Sequence, residues 1–415
     1  MLTSPVVVGS SSLVVVLPFA IRHLLSAMKF AYITNNRLPS EKANAFQIAQ
    51  MCSALASQGV DVTLFYPARR NIQRFDGVDL FDYYKLPRNF KLHSIPCVDL
   101  FHLSGGIAAI EPPIFFLQTL TFASSLVWAL RNESFEAYYA RDIFVLGVIL
   151  AAFRKLKKQM FFEAHTFPSS RFGWAWVRRV VKRLGGVISI SSALADQYLG
   201  FGISPHNILI APDAVELKRY EGLTREVARE KLKIKDQRLV VYTGHLYEWK
   251  GASVFAEAAS LLEKVRALIV GGTEGDVRRL RSEVSERDWK NVDVIGYAAP
   301  DQIPLYQVAA DVVVLPNSAK SEISRLHTSP LKLFEYMASG TPIVASDLPS
   351  LREVLRHNEN AILVEADDAK VLANGITLLL NDRALADRLA AAARKDVEAM
   401  TWAARAESVI RFCSV

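Results

Sequence analysis

Cysteine is scarce: Cys52, Cys97 and Cys413 are the only three in 415 residues, and their spacing shows no pairing. That excludes a disulfide framework and a cysteine-based zinc site, and it fits a reducing compartment. No G-x-G-x-x-G follows the first strand-like run, which argues against a dinucleotide fold of the dehydrogenase type. No cluster of aspartates stands out for a metal, so none is expected. Zinc-finger spacing and RNA-binding aromatic motifs are absent as well, so nucleic acid is not the expected partner. The 49 Lys and Arg against 42 Asp and Glu, a net charge of +7, then point to nucleotide donors or acidic lipid. Long apolar runs are missing too. The run at 6–21 falls short of the roughly 20 residues that a spanning helix needs, and it lacks the preceding positive charge of a signal peptide. Met28-Lys29 opens a better strand, so residues 1–28 are expected to be an extension outside the fold; a weak membrane anchor is the alternative.

What is present is a globular composition, 51% apolar and 22% charged, long enough for two or three domains. Residues 29–36 read as a strand, 37–44 as a polar loop, 45–58 as a helix ending at Gly59, and 60–66 as a strand. That βαβ order implies a parallel sheet. The loop offers Glu41, Lys42 and Asn44. Further strands are expected at 137–142, 160–165 and 187–191, then at 239–243, 267–272, 292–296, 311–316 and 361–364. Residues 115–130 are apolar on nearly all sides and are expected to form a buried helix. Residues 218–237 are charged and read as a helical linker. The stretch 171–184, RFGWAWVRRVVKRL, joins aromatic anchors to a basic face. It reads either as an interfacial helix in peripheral contact with a membrane or as a surface helix packed on the sheet.

The most informative run is HTSPLKLFEYMASGTPIVASD, His327 to Asp347. Leu331, Phe334 and Met337 share one helical face, Ser339-Gly340 stops the helix, and 343–345 is a short buried strand. The loop Thr328-Ser329-Pro330 therefore lies at a helix N-terminus, whose free N–H groups and positive dipole end attract phosphate. Glu335 stands one turn further on. A carboxylate there does not serve phosphate; it suits the vicinal hydroxyls of a ribose, or else it is a solvated helix residue. Two other places carry chemistry. His165 leaves the C-terminal end of a strand, where open α/β sheets bind ligands. The segment GHLYEWKG places Gly244, His245 and Lys250 after another strand, with Gly244 allowing close backbone approach and Lys250 able to reach a phosphate.

The run 327–347 resembles the donor-site motif of the retaining family-four glycosyltransferases of the GT-B fold (glycosyl transferases group 1). In that motif two Glu residues are separated by seven others. Glu335 matches the second, the ribose ligand; His327 stands where the first, which faces the donor sugar, is expected. The resemblance runs from about Met28 to the C-terminus and is stronger in the second half. It implies two Rossmann-like domains facing a cleft: an acceptor domain at 29–212, a donor domain at 213–398, and a helix at 399–415 that crosses back. It implies sugar transfer from a UDP- or GDP-sugar co-substrate, without other cofactors, to a saccharide or lipid-linked hydroxyl. Polysaccharide, lipopolysaccharide or glycolipid synthesis would be the setting, in the cytoplasm or at the inner face of the membrane. By the same resemblance Gly244, His245, Lys250, Gly296, Tyr297, His327, Thr328, Ser329, Leu331, Lys332 and Glu335 bind the donor. Glu41, Lys42 and Asn44 face the acceptor side, and His165, Lys250 and Glu335 carry the catalysis. A nucleotide-sugar epimerase on this fold and a non-catalytic donor-binding subunit are the competing readings.

Overall fold

A computed structural model describes residues 28–103, 109–168, 170–235 and 237–414. Two parallel sheets organise them. The first has seven strands in the order β3-β2-β1-β4-β5-β6-β7: β1 Lys29–Ile33, β2 Asp61–Pro67, β3 Lys91–Ile95, β4 Ala137–Ala140, β5 Met160–Ala164, β6 Gly186–Ser189 and β7 Ile208–Ile210. The second has six strands in the order β10-β9-β8-β11-β12-β13: β8 Arg238–Thr243, β9 Val265–Val270, β10 Val292–Gly296, β11 Val312–Leu315, β12 Ile343–Ser346 and β13 Ile362–Val364. Every ladder is parallel. Helices cover both faces of each sheet, so the central strands are apolar on both sides and read as continuous runs. In each sheet the strand order reverses once, between β1 and β4 and between β8 and β11. The crevice beyond the strand ends at such a reversal is where open α/β sheets hold ligands.

The chain crosses from the first domain at Ala211–Asp213 and comes back at its end. The helix Trp402–Cys413 lays Trp402, Ala406, Val409 and Ile410 into the core beside the helix Ala43–Ser57. Met28 is buried in that same core, so it belongs to the fold, whereas the rest of the expected extension, residues 1–27, lies outside the described residues.

Two sequence expectations are corrected. The helix Glu111–Ala129 is not buried. Phe122, Ala123 and Leu126 pack into the core, but Phe116 is 57% and Trp128 73% exposed. Its apolar residues surround it, so no periodic face signalled which side the neighbouring helix Ile143–Ala152 would cover. The stretch 218–237 is not a free linker either. Its helix Arg225–Leu232 buries Ala228 in the second core, and Arg225 and Arg229 pair with Asp311 at 2.8 and 2.9 Å.

Candidate active site

The cleft between the sheets opens into two neighbouring cavities that share Ser40, Glu41 and Lys42. The smaller, about 150 Å³, lies beyond β8 and β9. Here Gly244 (φ 133°) and Gly271 (φ 117°) pass so closely that a Cβ on Gly271 would stand 2.3 Å from the Gly244 carbonyl oxygen. Only glycine fits such an approach, and it leaves bare backbone facing the cavity. The Thr243 N–H donates to the Tyr336 hydroxyl at 2.8 Å and fixes the helix Leu331–Ser339 against this loop. That helix turns its N-terminus, with Leu331 and Lys332, toward the cavity. The N–H groups of a first turn have no partners within the helix.

Cations crowd this end. The Lys332 ammonium is buried and has no hydrogen-bond acceptor among the described residues; it lies 3.9 Å from the Tyr242 ring centroid. Burial, and then Lys250, lower its pKa well below the ordinary lysine value. Burial pushes Lys250 down to about 8. His245 falls to about 4 through burial and then the Lys250 charge, so it is neutral near pH 7 rather than titrating near 6.5. The lowered pKa values of the two lysines mark desolvated ammonium groups whose charge a bound anion would stabilise. One turn along the helix, Glu335 is reached by Arg219 at 3.4 Å and by the Gln307 amide at 3.2 Å. Arg219 also lies over the Phe46 ring, 5.0 Å from its centroid, and so links the two domains across the cavity. Opposite, the Tyr297 hydroxyl meets that of Tyr83, and Arg74 stacks on the Tyr297 ring at 4.4 Å.

The larger cavity, about 420 Å³, lies beyond β1, β4 and β5 and includes Asn35, Arg69, Arg141 and His165. His165 Nε2 is 2.8 Å from Glu163 Oε1. Glu163 also accepts from Arg405 at 3.0 Å, from Tyr32 at 3.2 Å and from Tyr139. Burial alone would raise the Glu163 pKa, but Arg405, Arg141 and His165 hold it well below the ordinary carboxylate value. Burial and Arg141 lower His165 to about 4 against the pull of Glu163. A neutral imidazole beside an ionised, acceptor-only carboxylate must donate from Nε2. Nδ1 is then left as a hydrogen-bond acceptor, suited to a hydroxyl.

The structure brings Glu41, Lys42, Gly244, His245, Lys250, Tyr297, Leu331, Lys332 and Glu335 to the smaller cavity. Glu41, Lys42, Asn44 and His165 border the larger one. Four residues carried over from the motif border neither. Gly296 supports the Gly271 loop, its carbonyl accepting the Gly271 N–H at 2.6 Å. Ser329 Oγ accepts from the Asp213 N–H at 2.9 Å, tying the loop before the helix Leu331–Ser339 to the crossing segment. His327 and Thr328 are buried, and His327 Nε2 lies 3.9 Å from Glu322. Sequence reasoning missed Arg219, Gly271, Tyr83, Arg69 and Arg141. Arg141 carried the same signal as His165, a polar residue directly after a buried strand; Arg219 was hidden in a charged stretch.

The sequence model of the family described as "Glycosyl transferases group 1" matches residues 224–396. The model of "Glycosyltransferase Family 4" matches residues 45–219, leaving only 220–223 between them. The chain belongs to this glycosyltransferase family. Among curated relatives, a phosphatidyl-myo-inositol mannosyltransferase of Mycobacterium leprae is 34% identical over 39% of this chain and 42% of its own. A D-inositol 3-phosphate glycosyltransferase of Geodermatophilus obscurus is 26% identical over 52% of this chain and 48% of its own. The matches thus span about half the length of these relatives or less. The family member superposes on sucrose-phosphate synthase from Thermosynechococcus elongatus with a TM-score of 0.75 at 20% identity, covering 92% of this chain and 98% of that one. It superposes on Anabaena HepE, solved with UDP-glucose, with a TM-score of 0.72 at 16% identity, covering 93% and 99%. These likenesses establish the GT-B fold of two Rossmann-like domains.

Proposed function

We propose that this chain moves a hexose-type sugar from a UDP- or GDP-sugar to a hydroxyl of a saccharide or lipid-linked acceptor, with retention of anomeric configuration. The observation that carries the reading is the convergence of Lys250, buried Lys332 and a helix N-terminus one turn from Glu335. A diphosphate fits the cations and the amides, and a ribose diol fits the carboxylate. The chemistry needs charge stabilised on the departing diphosphate while the anomeric carbon turns positive. Lys250, Lys332 and the amides after Ser329 would do the first. His165 Nδ1 would accept a hydrogen bond from a hydroxyl of the sugar or the acceptor. The acceptor proton can pass to the leaving phosphate, so no separate base is required. The two cavities meet at Ser40, Glu41 and Lys42, so a donor in one and an acceptor in the other would lie side by side; retention rests on the resemblance to the retaining family. The names of the relatives support sugar transfer, and the HepE complex supports a UDP-linked donor. Synthesis of a polysaccharide, lipopolysaccharide or glycolipid is the setting this suits.

A donor-binding subunit without transfer is the second reading, favoured by His327 in place of the first motif Glu. Mass spectrometry of products from a panel of nucleotide sugars, with and without saccharide and lipid acceptors, separates the two. Acceptor-dependent release of nucleoside diphosphate with a sugar-extended product is expected. Donor binding with no turnover on any acceptor would favour the subunit, and acceptor-free conversion of the donor sugar an epimerase.

A further inference from the structure

Three helices lie side by side on one face of the first sheet: Glu111–Ala129, Ile143–Ala152 and Arg171–Val181. Their inner faces fill the core. Their outer faces are joined by aromatic rings, Phe116 to Phe144 at 5.7 Å and Phe144 to Trp176 at 6.2 Å. Phe116 and Phe172 (84% exposed) stand out along this band, and Trp174, which packs edge-on against Phe201, is exposed on the same helix as Phe172. Monomeric proteins seldom leave contiguous apolar surface of this kind uncovered. Its charge is one-sided as well. The basic charge sits on the third helix and its end, where residues 171–184 hold five Lys and Arg and no acid. Arg179, Lys182 and Arg183 are exposed beside the aromatic residues.

We infer that this face docks on a bilayer carrying anionic lipid. Exposed Phe and Trp next to a basic rim are the elements of an interfacial surface, in which apolar side chains enter the headgroup boundary and Lys and Arg meet lipid phosphates. The helix Glu111–Ala129 lies along the surface and does not span it, because Phe122, Ala123 and Leu126 are locked into the protein core. Phe115 belongs both to this apolar face and to the wall of the larger cavity, where Arg69 and Arg141 stand. The acceptor cavity therefore opens at the docking plane and takes a hydroxyl presented from the membrane. This last step rests on the transfer reading; the docking does not.

Flotation of the full chain with phosphatidylcholine vesicles, with and without phosphatidylglycerol, tests the inference. Binding is expected with the anionic vesicles, at least about ten-fold weaker without them, and weakened by salt. The variant Phe116→Ser/Phe172→Ser should lose about ten-fold or more of that binding, and Arg179→Glu/Arg183→Glu likewise, with nucleoside diphosphate affinity unchanged in both. No binding to anionic vesicles, or binding that survives both variants, overturns it. A lipid-free dimer abolished by the same Phe substitutions would assign the face to a second copy and also overturn it. Because the diphosphate affinity is read separately, failure of docking and failure of the donor site are distinguishable.

Discussion

Arg405, on the last helix, places its guanidinium 3.0 Å from the Glu163 carboxylate, 242 residues earlier in the chain, and both side chains are buried. The same carboxylate holds His165, and Arg405 also donates to the Pro212 carbonyl at 2.9 Å in the crossing segment. The returning helix thus ties the domain crossing to the histidine of the larger cavity. A buried ion pair is weak evidence for stability, but breaking one from a single side costs about 3–5 kcal/mol.

Arg405→Met is accordingly expected to destabilise the first domain by about 3–5 kcal/mol in urea unfolding. The sign of the pH dependence follows from the depressed Glu163 pKa. The stabilisation is fully present above the ordinary carboxylate value of 4.5 and is lost as pH falls toward the folded one. The variant should lack that acid-side loss. A wild-type stability equal to the variant's at pH 7 would refute the pairing.

Glu335→Ala should weaken nucleoside diphosphate binding by about 1.5–3 kcal/mol, the cost of a lost charged hydrogen-bond partner. Its contacts with Arg219 and Gln307 leave the carboxylate at the cavity rim. Calorimetry on the folded variant checks this, and unchanged affinity would remove Glu335 from the ribose.

The donor site should also be sensitive to alkali. With Lys250 near pKa 8, nucleoside diphosphate affinity should fall as pH rises past about 8, where an ordinary lysine at 10.5 would stay charged, and the loss of charge on Lys332, also lowered by burial, adds to the fall. Lys250→Arg should remove the part of this fall that is due to Lys250, because a guanidinium does not lose its proton there, and so show a smaller loss than wild type above about pH 8. Lys250→Ala should cost about 10²-fold in turnover, by analogy with a lost oxyanion donor. Affinity that stays flat to pH 10 in the wild type would place the diphosphate elsewhere.

His165→Ala should lower kcat while leaving nucleoside diphosphate affinity intact, since His165 borders the larger cavity and not the smaller. Nitrogen NMR of the wild type should show a neutral imidazole protonated at Nε2 down to about pH 4. A charged imidazole at pH 6, or the opposite tautomer, would contradict the role given to Glu163.

The sheets were legible because strands buried on both faces leave unbroken apolar runs, as in 267–272. The helix stop at Gly340 was legible because that residue takes the left-handed conformation, φ 67°, that favours glycine. That Lys250 and Glu335 reach one cavity could be read because each follows its own strand or helix start by a few residues. Contacts between distant segments could not be read. Nothing local in Arg405 points to Glu163, and nothing in Arg219 points to Glu335. Exposure was equally hidden for the helix Glu111–Ala129, since a helix apolar all round carries no mark of the side its neighbours leave open.

Retaining transfer from a sugar nucleotide is tested most directly by proton NMR of the glycoside the full chain makes from α-linked UDP- and GDP-hexoses. A simple alcohol in excess can serve as acceptor, because an alkyl glycoside does not interconvert its anomers as a free sugar does. The expected product is the α-glycoside, formed with stoichiometric nucleoside diphosphate and suppressed in Lys250→Ala. A β-glycoside would contradict retention. Donors left intact with every alcohol, saccharide and lipid acceptor would contradict transfer itself.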